Sequence, residues 1–313
     1  MKRAVITGAT GAIGRALIDE LIQNGIEVLA LCRRGKRTQE LPTHKLLSIQ
    51  HCALSELSAL QQCNTEKPYD VFYHLAWDGT NGAARNNPDL QCDNIRYALD
   101  AVLAARRLGC HTFIGAGSQA EYGRVSGSLT PSTPTFPESG YGMAKLAAGG
   151  LTRLAASACG MRHIWVRILS VYGPHDNEKS LVSSTILKLM HGNTPQFTKG
   201  EQLWDFLYSR DAARALSLLG ERGKDGAIYP LGSGVVRPLK DYLLILRDIV
   251  SPHTPLQFGA IPYSKDQVMH LCADLTAITA DTGWTPVTSF CEGIRQTVAW
   301  WQIQEKISMQ NNH

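Results

Sequence analysis

Thr7-Gly8-Ala9-Thr10-Gly11-Ala12-Ile13-Gly14 is the stretch that decides the fold. It follows a short β-branched run, Lys2–Thr7, and leads into Ile13–Gln23, where apolar residues recur at helical spacing. Three glycines spaced three and three at such a turn each do separate work. Gly8 permits the tight turn, Gly11 lets the backbone approach a pyrophosphate, and Gly14 lets helix pack on strand. The phosphates then meet N–H groups at the helix start, so Thr10, Ala12 and Ile13 join the expected binding set. A lone glycine pattern says little. One that opens at residue 7, between a strand and a helix, predicts dinucleotide binding.

Outward from this turn, short apolar runs alternate with helix-length amphipathic stretches. Glu27–Cys32, Tyr69–Ala76, Thr112–Ala116 and His163–Leu169 read as strands; Asn94–Arg107 and Gly142–Gly160 read as helices. That alternation predicts an α/β protein with a Rossmann-like, doubly wound parallel sheet. Thr130–Ser139, with prolines at 131, 134 and 137, is expected to be a loop. Past residue 174 the alternation loosens. Residues 1–173 are therefore expected to form the nucleotide-binding domain. Residues 174–313 form mainly a smaller α/β substrate lobe, with some segments returning to the first domain. Glu292–Lys306 closes the chain as an amphipathic helix.

Composition sets the outer bounds. Lys+Arg 31 against Asp+Glu 27 leaves a net charge of only +4 on 313 residues, a weak reason to invoke nucleic acid. With 44% hydrophobic residues the chain can bury a core and is not disordered as a whole. No run is long and apolar enough for a membrane span, and Ala4-Val5-Ile6 is too short for a signal peptide. The eight cysteines (Cys32, Cys52, Cys63, Cys92, Cys110, Cys159, Cys272 and Cys291) show no CxxC pair and no metal-ligand spacing. They read as reduced, mostly buried residues of a cytoplasmic protein without a metal site.

The end of the second strand bears on which nicotinamide cofactor is bound. An acid there would hydrogen-bond the adenosine ribose and repel a 2′-phosphate. Here Leu31-Cys32 is followed by Arg33-Arg34, two guanidiniums able to fork onto a phosphate. NADP(H) is thus expected, with NAD(H) as the alternative in which these arginines, with Lys36 and Arg37, only decorate a solvated turn.

Tyr141-Gly142-Met143-Ala144-Lys145 sets a phenol and an ammonium four residues apart on one helix face. A phenol with an ordinary pKa near 10 is a poor base at neutral pH, and a nearby ammonium stabilises its phenolate. Tyr141 could then pass a proton to or from a carbonyl oxygen while hydride moves to or from the nicotinamide. Ser118, twenty-three residues earlier and at the end of a strand, can hydrogen-bond the same oxygen. Ser118, Tyr141 and Lys145 are the expected catalytic residues.

At this point the chain resembles the extended short-chain dehydrogenase/reductase family, in its nucleotide-sugar epimerase, dehydratase and ketoreductase branch. TGATGAIG, YDVFYHLA, Asn94 in CDNIRYALDA, FIGAGSQAEYG, YGMAK, VRILSVYGP, WDFLYSRDAARAL and TGWTP…EGI fall in the family's order over nearly the whole length. The resemblance implies a nucleotide-sugar substrate and a homodimer through a four-helix bundle built from the helices near Asn94 and Tyr141. It also implies that Lys145 and Tyr141 touch the cofactor, and places Leu75 and Ala76 of YDVFYHLA against it.

Departures from the family pattern narrow the activity. Dehydratases of this branch carry Asp-Glu directly after the Ser/Thr; this chain has Gln119-Ala120, so dehydration is rejected. The double epimerases that make GDP-fucose carry a Cys two residues after that Ser and a His after the VYGP turn; here Ala120 replaces the Cys, while His175 is present. The 4-epimerases usually carry an Asn where this chain has Ser170. What remains is NADPH-dependent reduction of the C4 ketone of a nucleotide-activated 4-keto-6-deoxy or dideoxy hexose, with 4-epimerisation as the alternative. Ser170, His175, Trp204 and Arg237 are expected at the substrate; for each, a plain core or surface role is the competing reading. Glu121 is expected either to reach the pocket or to serve at the surface or as a cap. Asp211 reads as a structural cap.

Overall fold

The computed structural model of the chain describes residues 1–60 and 67–311. Seven parallel strands form the central sheet: β1 (Arg3–Thr7), β2 (Glu27–Cys32), β3 (Leu47–His51), β4 (Val71–His74), β5 (Thr112–Ser118), β6 (Arg162–Ile168) and β10 (Ile228–Leu231). Their spatial order is β10-β6-β5-β4-β1-β2-β3. β1 lies between β2 and β4, with Thr7 opposite both Leu31 and His74. The connections therefore leave β1 in opposite directions, and a crevice opens at its carboxyl end.

Strand period two explains why these runs are apolar throughout. Ala4 and Ile6 face one layer with Leu17, Ile18, Leu216 and Leu219, whereas Val5 faces the other with Phe72, Val102 and Phe113. The first layer is α1 (Ala12–Gln23) packed on α6 (Ser209–Arg222). The second is α3 (Pro88–Arg107) packed on α4 (Gly140–Ala158). A one-turn α2 (Lys36–Gln39) follows β2. The remaining lobe holds α5 (Leu181–Met190), α7 (Leu239–Val250) and α9 (Phe290–Asn311), with the short α8 (Thr276–Thr282) packed on α6. Two small strand pairs join the units: β7 (Ser170–Tyr172) runs parallel to β9 (Phe206–Tyr208), and β8 (Leu203–Trp204) antiparallel to β11 (Arg237–Pro238).

Several boundaries differ from the sequence reading. α3 begins at Pro88, well before Asn94, because Asn87 caps it by accepting from the Leu90 N–H and proline suits the first turn. β3 has no counterpart among the expected strands. It is an edge strand whose residues Ser48 to His51 are exposed, so it shows no apolar alternation. Beyond residue 173, α6 and β10 belong to the central layers. Among the described residues, no helix is long and apolar enough to cross a membrane. The seven cysteines described are free; Cys92 is exposed, Cys159 and Cys291 are half-buried, and the others are buried. Cys63 lies outside the described residues.

Candidate active site

The glycine turn stands at the carboxyl end of β1. Gly8 has φ +75, and a Cβ on it would lie 2.7 Å from the Ala76 nitrogen, so no larger residue fits between β1 and the end of β4. A Cβ on Gly14 would collide with the Gly8 carbonyl oxygen. Gly11 differs, because a Cβ there would meet only the Gly8 oxygen at 3.6 Å and would otherwise project into open space. Gly11 is also the N-cap of α1 and supplies no side-chain cap to the first turn, where Ala12 and Ile13 stand. An open cradle at an uncapped helix start fits a diphosphate, which takes the donors a cap would otherwise satisfy.

From this cradle a cavity of about 300 Å³ runs toward β2, lined by Thr10, Leu31, Arg33, Arg37, Leu75 and Asp78, among others. Arg33 and Arg37 are the arginines on its wall. Arg34, expected to pair with Arg33, is exposed and absent from the lining. The reason is local: Arg34 enters the turn before α2, and that one-turn helix brings Arg37 back to the cavity. An acid is present after all, since Asp78, on the loop after β4, lies 3.5 Å from the Arg33 guanidinium.

Ser118, Tyr141 and Lys145 come together on the adjoining side. Ser118 ends β5 and caps a 3₁₀ turn, Gln119–Glu121, its Oγ accepting from the Ala120 N–H at 3.1 Å. Ser139 caps α4 in the same way, which places Tyr141 in the first turn and Lys145 one turn later. The Ser118 hydroxyl stands on the Tyr141 side of the turn, where hydrogen bonding to the phenol draws the Tyr141 pKa down. Lys145 is buried and donates to the Ala116 carbonyl at 2.6 Å. Burial lowers its pKa to about 7, opposed by the charge of Glu121.

The cation nearest the phenol is not the expected one. Arg85 lies with its guanidinium carbon 4.3 Å from the Tyr141 ring centroid, whereas the Lys145 Nζ is 5.8 Å from it. Burial raises the Tyr141 pKa; the Ser118 hydrogen bond and the Arg85 charge pull it down, and Glu121 adds to the rise. Trp77 meets Tyr141 edge-on at 6.1 Å. Trp77 and Arg85 share one loop, and α3 fastens it. Gln91 bonds the Trp77 Nε1 and the carbonyls of Gly79 and Ala84, and Asn94 bonds both backbone groups of Asp78. Neither Trp77 nor Arg85 was singled out from sequence, where each is one residue of an irregular loop.

Glu121 takes the capping role among its expected readings, accepting from the Ser118 N–H at 2.8 Å, but it does so fully buried, with Arg167 donating to it at 2.7 Å. The expected substrate residues divide. Trp204 Nε1 donates to Ser170 Oγ at 2.8 Å, and Arg237 is the cross-strand partner of Trp204, so these three form one platform. Buried Asp205 steadies it by accepting from the N–H groups of Ser233, Gly234 and Ala273. His175 lies elsewhere, lining a separate cavity of about 420 Å³ with Arg15 and Gln296, its ring 4.7 Å from that of Trp300. Its backbone is left-handed, with φ 64. Asp211 accepts from the N–H groups of Val287 and Thr288 and from Arg214, a structural role. Among the described residues, no group of three or more His, Cys, Asp and Glu side chains is placed to hold a metal ion.

Parallel strands that reverse their winding at β1, with an open glycine cradle at the reversal, define a Rossmann-like α/β fold built for a dinucleotide. More narrowly, the chain belongs to the NAD dependent epimerase/dehydratase family, whose model matches residues 4–232. It is 25% identical over 333 residues to the dTDP-glucose 4,6-dehydratase of Salmonella typhimurium, covering 96% of this chain and 92% of that one. Among solved structures it is similar to the UDP-N-acetylglucosamine 4-epimerase of Methanobrevibacter ruminantium in complex with UDP-N-acetylmuramic acid. There the TM-score is 0.86 at 24% identity, over 97% of this chain and 99% of that one. The UDP-glucuronic acid 4-epimerase of Bacillus cereus in complex with UDP-glucuronic acid and NAD aligns with a TM-score of 0.84 at 20% identity, over 96% and 99% of the two chains.

Proposed function

We propose that this protein reduces the C4 ketone of a nucleotide-activated 4-keto-6-deoxy or dideoxy hexose with NADPH. The observation that carries the reading is that the turn begun by Ser118 packs directly on the first turn of α4, which bears Tyr141, with buried Lys145 5.8 Å from the Tyr141 ring centroid. Two O–H groups at that junction suit a carbonyl oxygen that takes on negative charge as hydride arrives at carbon. Ser118 would orient that oxygen and Tyr141 would give it a proton, so one C–H and one O–H bond form.

The hydride would come from a nicotinamide held in the glycine cradle. Gly8, Gly11 and the first turn of α1 would hold its diphosphate, with Thr10, Leu75 and Ala76 along the same wall. Arg33 and Arg37 would take the 2′-phosphate, and Lys145 the ribose. Lys145 also keeps Tyr141 in position from one helical turn away. Ser170, Trp204 and Arg237 offer the nucleotide-sugar a platform with one cation for its diphosphate. His175 is better read as part of the separate Trp300 cavity.

Two features weigh against dehydration despite the similarity to dehydratases. Gln119 and Ala120 provide no carboxylate after Ser118, and the carboxylate that follows, Glu121, is consumed by buried donors. A second reading, 4-epimerisation with a retained nicotinamide, is favoured by the solved 4-epimerases aligned above. One experiment separates the two. The protein is incubated with NADPH and a panel of freshly generated 4-keto-sugar nucleotides, and separately with UDP-hexoses. Stoichiometric loss of NADPH absorbance with a 4-hydroxyl product supports reduction. Interconversion of C4 epimers without net NADPH loss supports epimerisation, and no turnover in either set overturns both.

A further inference from the structure

Glu121 is a carboxylate with no contact with water, an uncommon place for an ionisable side chain. Its Oε1 accepts from the Ser118 backbone N–H at 2.8 Å and from Trp165 Nε1 at 3.0 Å; its Oε2 accepts from Arg167 Nε at 2.7 Å. Arg167 is itself buried and stacks on the Tyr122 ring at 4.5 Å, while the Tyr122 hydroxyl donates to the Thr130 carbonyl. A charge this deep is tolerated only when it is paired and its lone pairs are used, and here they are. The chain also makes room for the arrangement. A Cβ on Gly117 would collide with both Trp165 Nε1 and Glu121 Oε1, and a Cβ on Gly115 with the Trp165 ring.

These contacts converge on one residue. Ser118 and Glu121 close a reciprocal capping box, in which the Ser118 Oγ takes an N–H of the 3₁₀ turn and the Glu121 carboxylate takes the Ser118 N–H. With its rotamer fixed by the bond from Ala120, the Ser118 O–H is left to act on the Tyr141 side. The same turn abuts the helix that carries Tyr141, because a Cβ on Gly142 would collide with the Ala120 carbonyl oxygen. Displacing the turn would therefore shift Ser118 relative to Tyr141, which α4 holds in place.

We propose that Glu121, neutralised by Arg167 and braced by Trp165, is the positioning residue of this site, fixing Ser118 against Tyr141 without touching substrate. The proposal rests on the reading that Ser118 and Tyr141 act on the substrate carbonyl. It predicts a dependence of turnover on Glu121 that passes chiefly through Ser118.

A double-mutant cycle in the full-length enzyme tests it, with turnover on the active keto-sugar nucleotide, KM, and the NADPH Kd measured by fluorescence. Glu121→Gln is expected to lower kcat about 10- to 100-fold, the scale of a misplaced catalytic group. KM and the NADPH Kd should stay within about three-fold, since neither site loses a contact. In a Ser118→Ala background, Glu121→Gln should change kcat by less than about three-fold, because the group it positions is already gone. Multiplicative losses in that background, or an unchanged kcat in Glu121→Gln alone, would overturn the proposal. If the single variant does not fold, Glu121→Gln with Arg167→Met removes the unpaired guanidinium and enters the same cycle with the same expected outcomes. Tyr141→Phe is the control for the underlying reading. Full turnover in that variant overturns the reading and this inference together, whereas a dead Tyr141→Phe beside an additive Glu121 cycle overturns this inference alone.

Discussion

The Lys145 Nζ lies 3.7 Å from the centroid of the Trp77 indole ring. An ammonium over an aromatic face regains part of the solvation it lost on burial, about 2 kcal/mol where water is excluded. The indole is held in place by Gln91, so the contact belongs to the fold and not to a mobile side chain.

Replacing Trp77 with Leu should expose the size of this effect. Leucine keeps the amine dry but removes the π face, so the ammonium loses support and the Lys145 pKa falls further below about 7. A loss of about 1 kcal/mol corresponds to nearly one pH unit. Competitive acylation of the apo-protein across pH reads it directly, since only the neutral amine reacts. A midpoint that stays put or rises would show that the indole does not stabilise the cation.

Tyr141→Phe should lower turnover by about 10²- to 10⁴-fold, the usual worth of a positioned proton donor, with little change in NADPH affinity. Arg85→Gln should act differently. It removes the guanidinium 4.3 Å from the phenol ring, so the ionisation of Tyr141 moves up and the limb of the pH–rate profile that reports it shifts to higher pH. The charged groups facing Tyr141 are Arg85 from the loop, Lys145 from its own helix and Glu121 from the 3₁₀ turn. An unshifted profile in Arg85→Gln would assign the phenol's support to Lys145 after all.

Two buried histidines set the acid limit of stability. Burial, with the Lys145 charge beside it, lowers the His74 pKa to about 3; burial lowers that of His163 to about 4, against the opposing charge of Asp225. The unfolded chain takes up these protons near pH 6.5, so between pH 6.5 and about 4 it binds more protons than the fold does. The histidine contribution is thus complete above pH 6.5 and declines as pH falls, by up to about 2 kcal/mol per histidine at pH 5. Urea unfolding of the apo-protein at pH 7 and pH 5 checks this, and His163→Phe should flatten the slope. A midpoint that is constant over that range counts against it.

What could be read in advance was local. The glycine turn, the Tyr141–Lys145 spacing and the alternation of strands and helices are set by neighbours within one or two turns of chain, and the fold followed from them. What could not be read was tertiary. Glu121 meets Arg167 across 46 residues of sequence, and no periodicity marks a carboxylate at the end of a strand as a buried one. Arg85 reaches Tyr141 only because α3 pins the segment that carries it, a 3₁₀ turn over Gly82–Asn86, beside α4. Arg37 joins Arg33 at the cavity only because the chain turns after Arg34 into the one-turn helix that carries Arg37, which adjacency in sequence conceals.

That geometry changes the expected cofactor experiment. Arg33→Ala and Arg37→Ala should each weaken NADPH about ten-fold or more relative to NADH, whereas Arg34→Ala should leave the ratio near that of the parent. Asp78 complicates the sign at one position, since it pairs with Arg33 at 3.5 Å and would repel a phosphate if left alone. Arg33→Ala should therefore be the most damaging of the three for NADPH, and Asp78→Asn should partly restore it. Isothermal titration with both cofactors decides. Equal weakening of NADH and NADPH would remove the phosphate role from these arginines.

The outer surface of α3 and α4 carries the last expectation. Met143, Leu151 and Leu154 are 55%, 42% and 66% exposed and fall within one stripe of α4, while Leu103 on neighbouring α3 is 41% exposed. Aliphatic side chains clustered on two packed helices suit a self-complementary contact, in which the same pair from a second copy completes a four-helix bundle. The proposed homodimer would bury this stripe, and a single Leu154→Glu would place two like charges near its axis. Sedimentation at micromolar concentration should then show a dimer for the parent and a monomer for the variant. Because α4 also carries Tyr141 and Lys145, the monomer should retain NADPH binding but lose thermal stability. A parent that sediments as a monomer, or a variant that remains dimeric, would place the interface elsewhere.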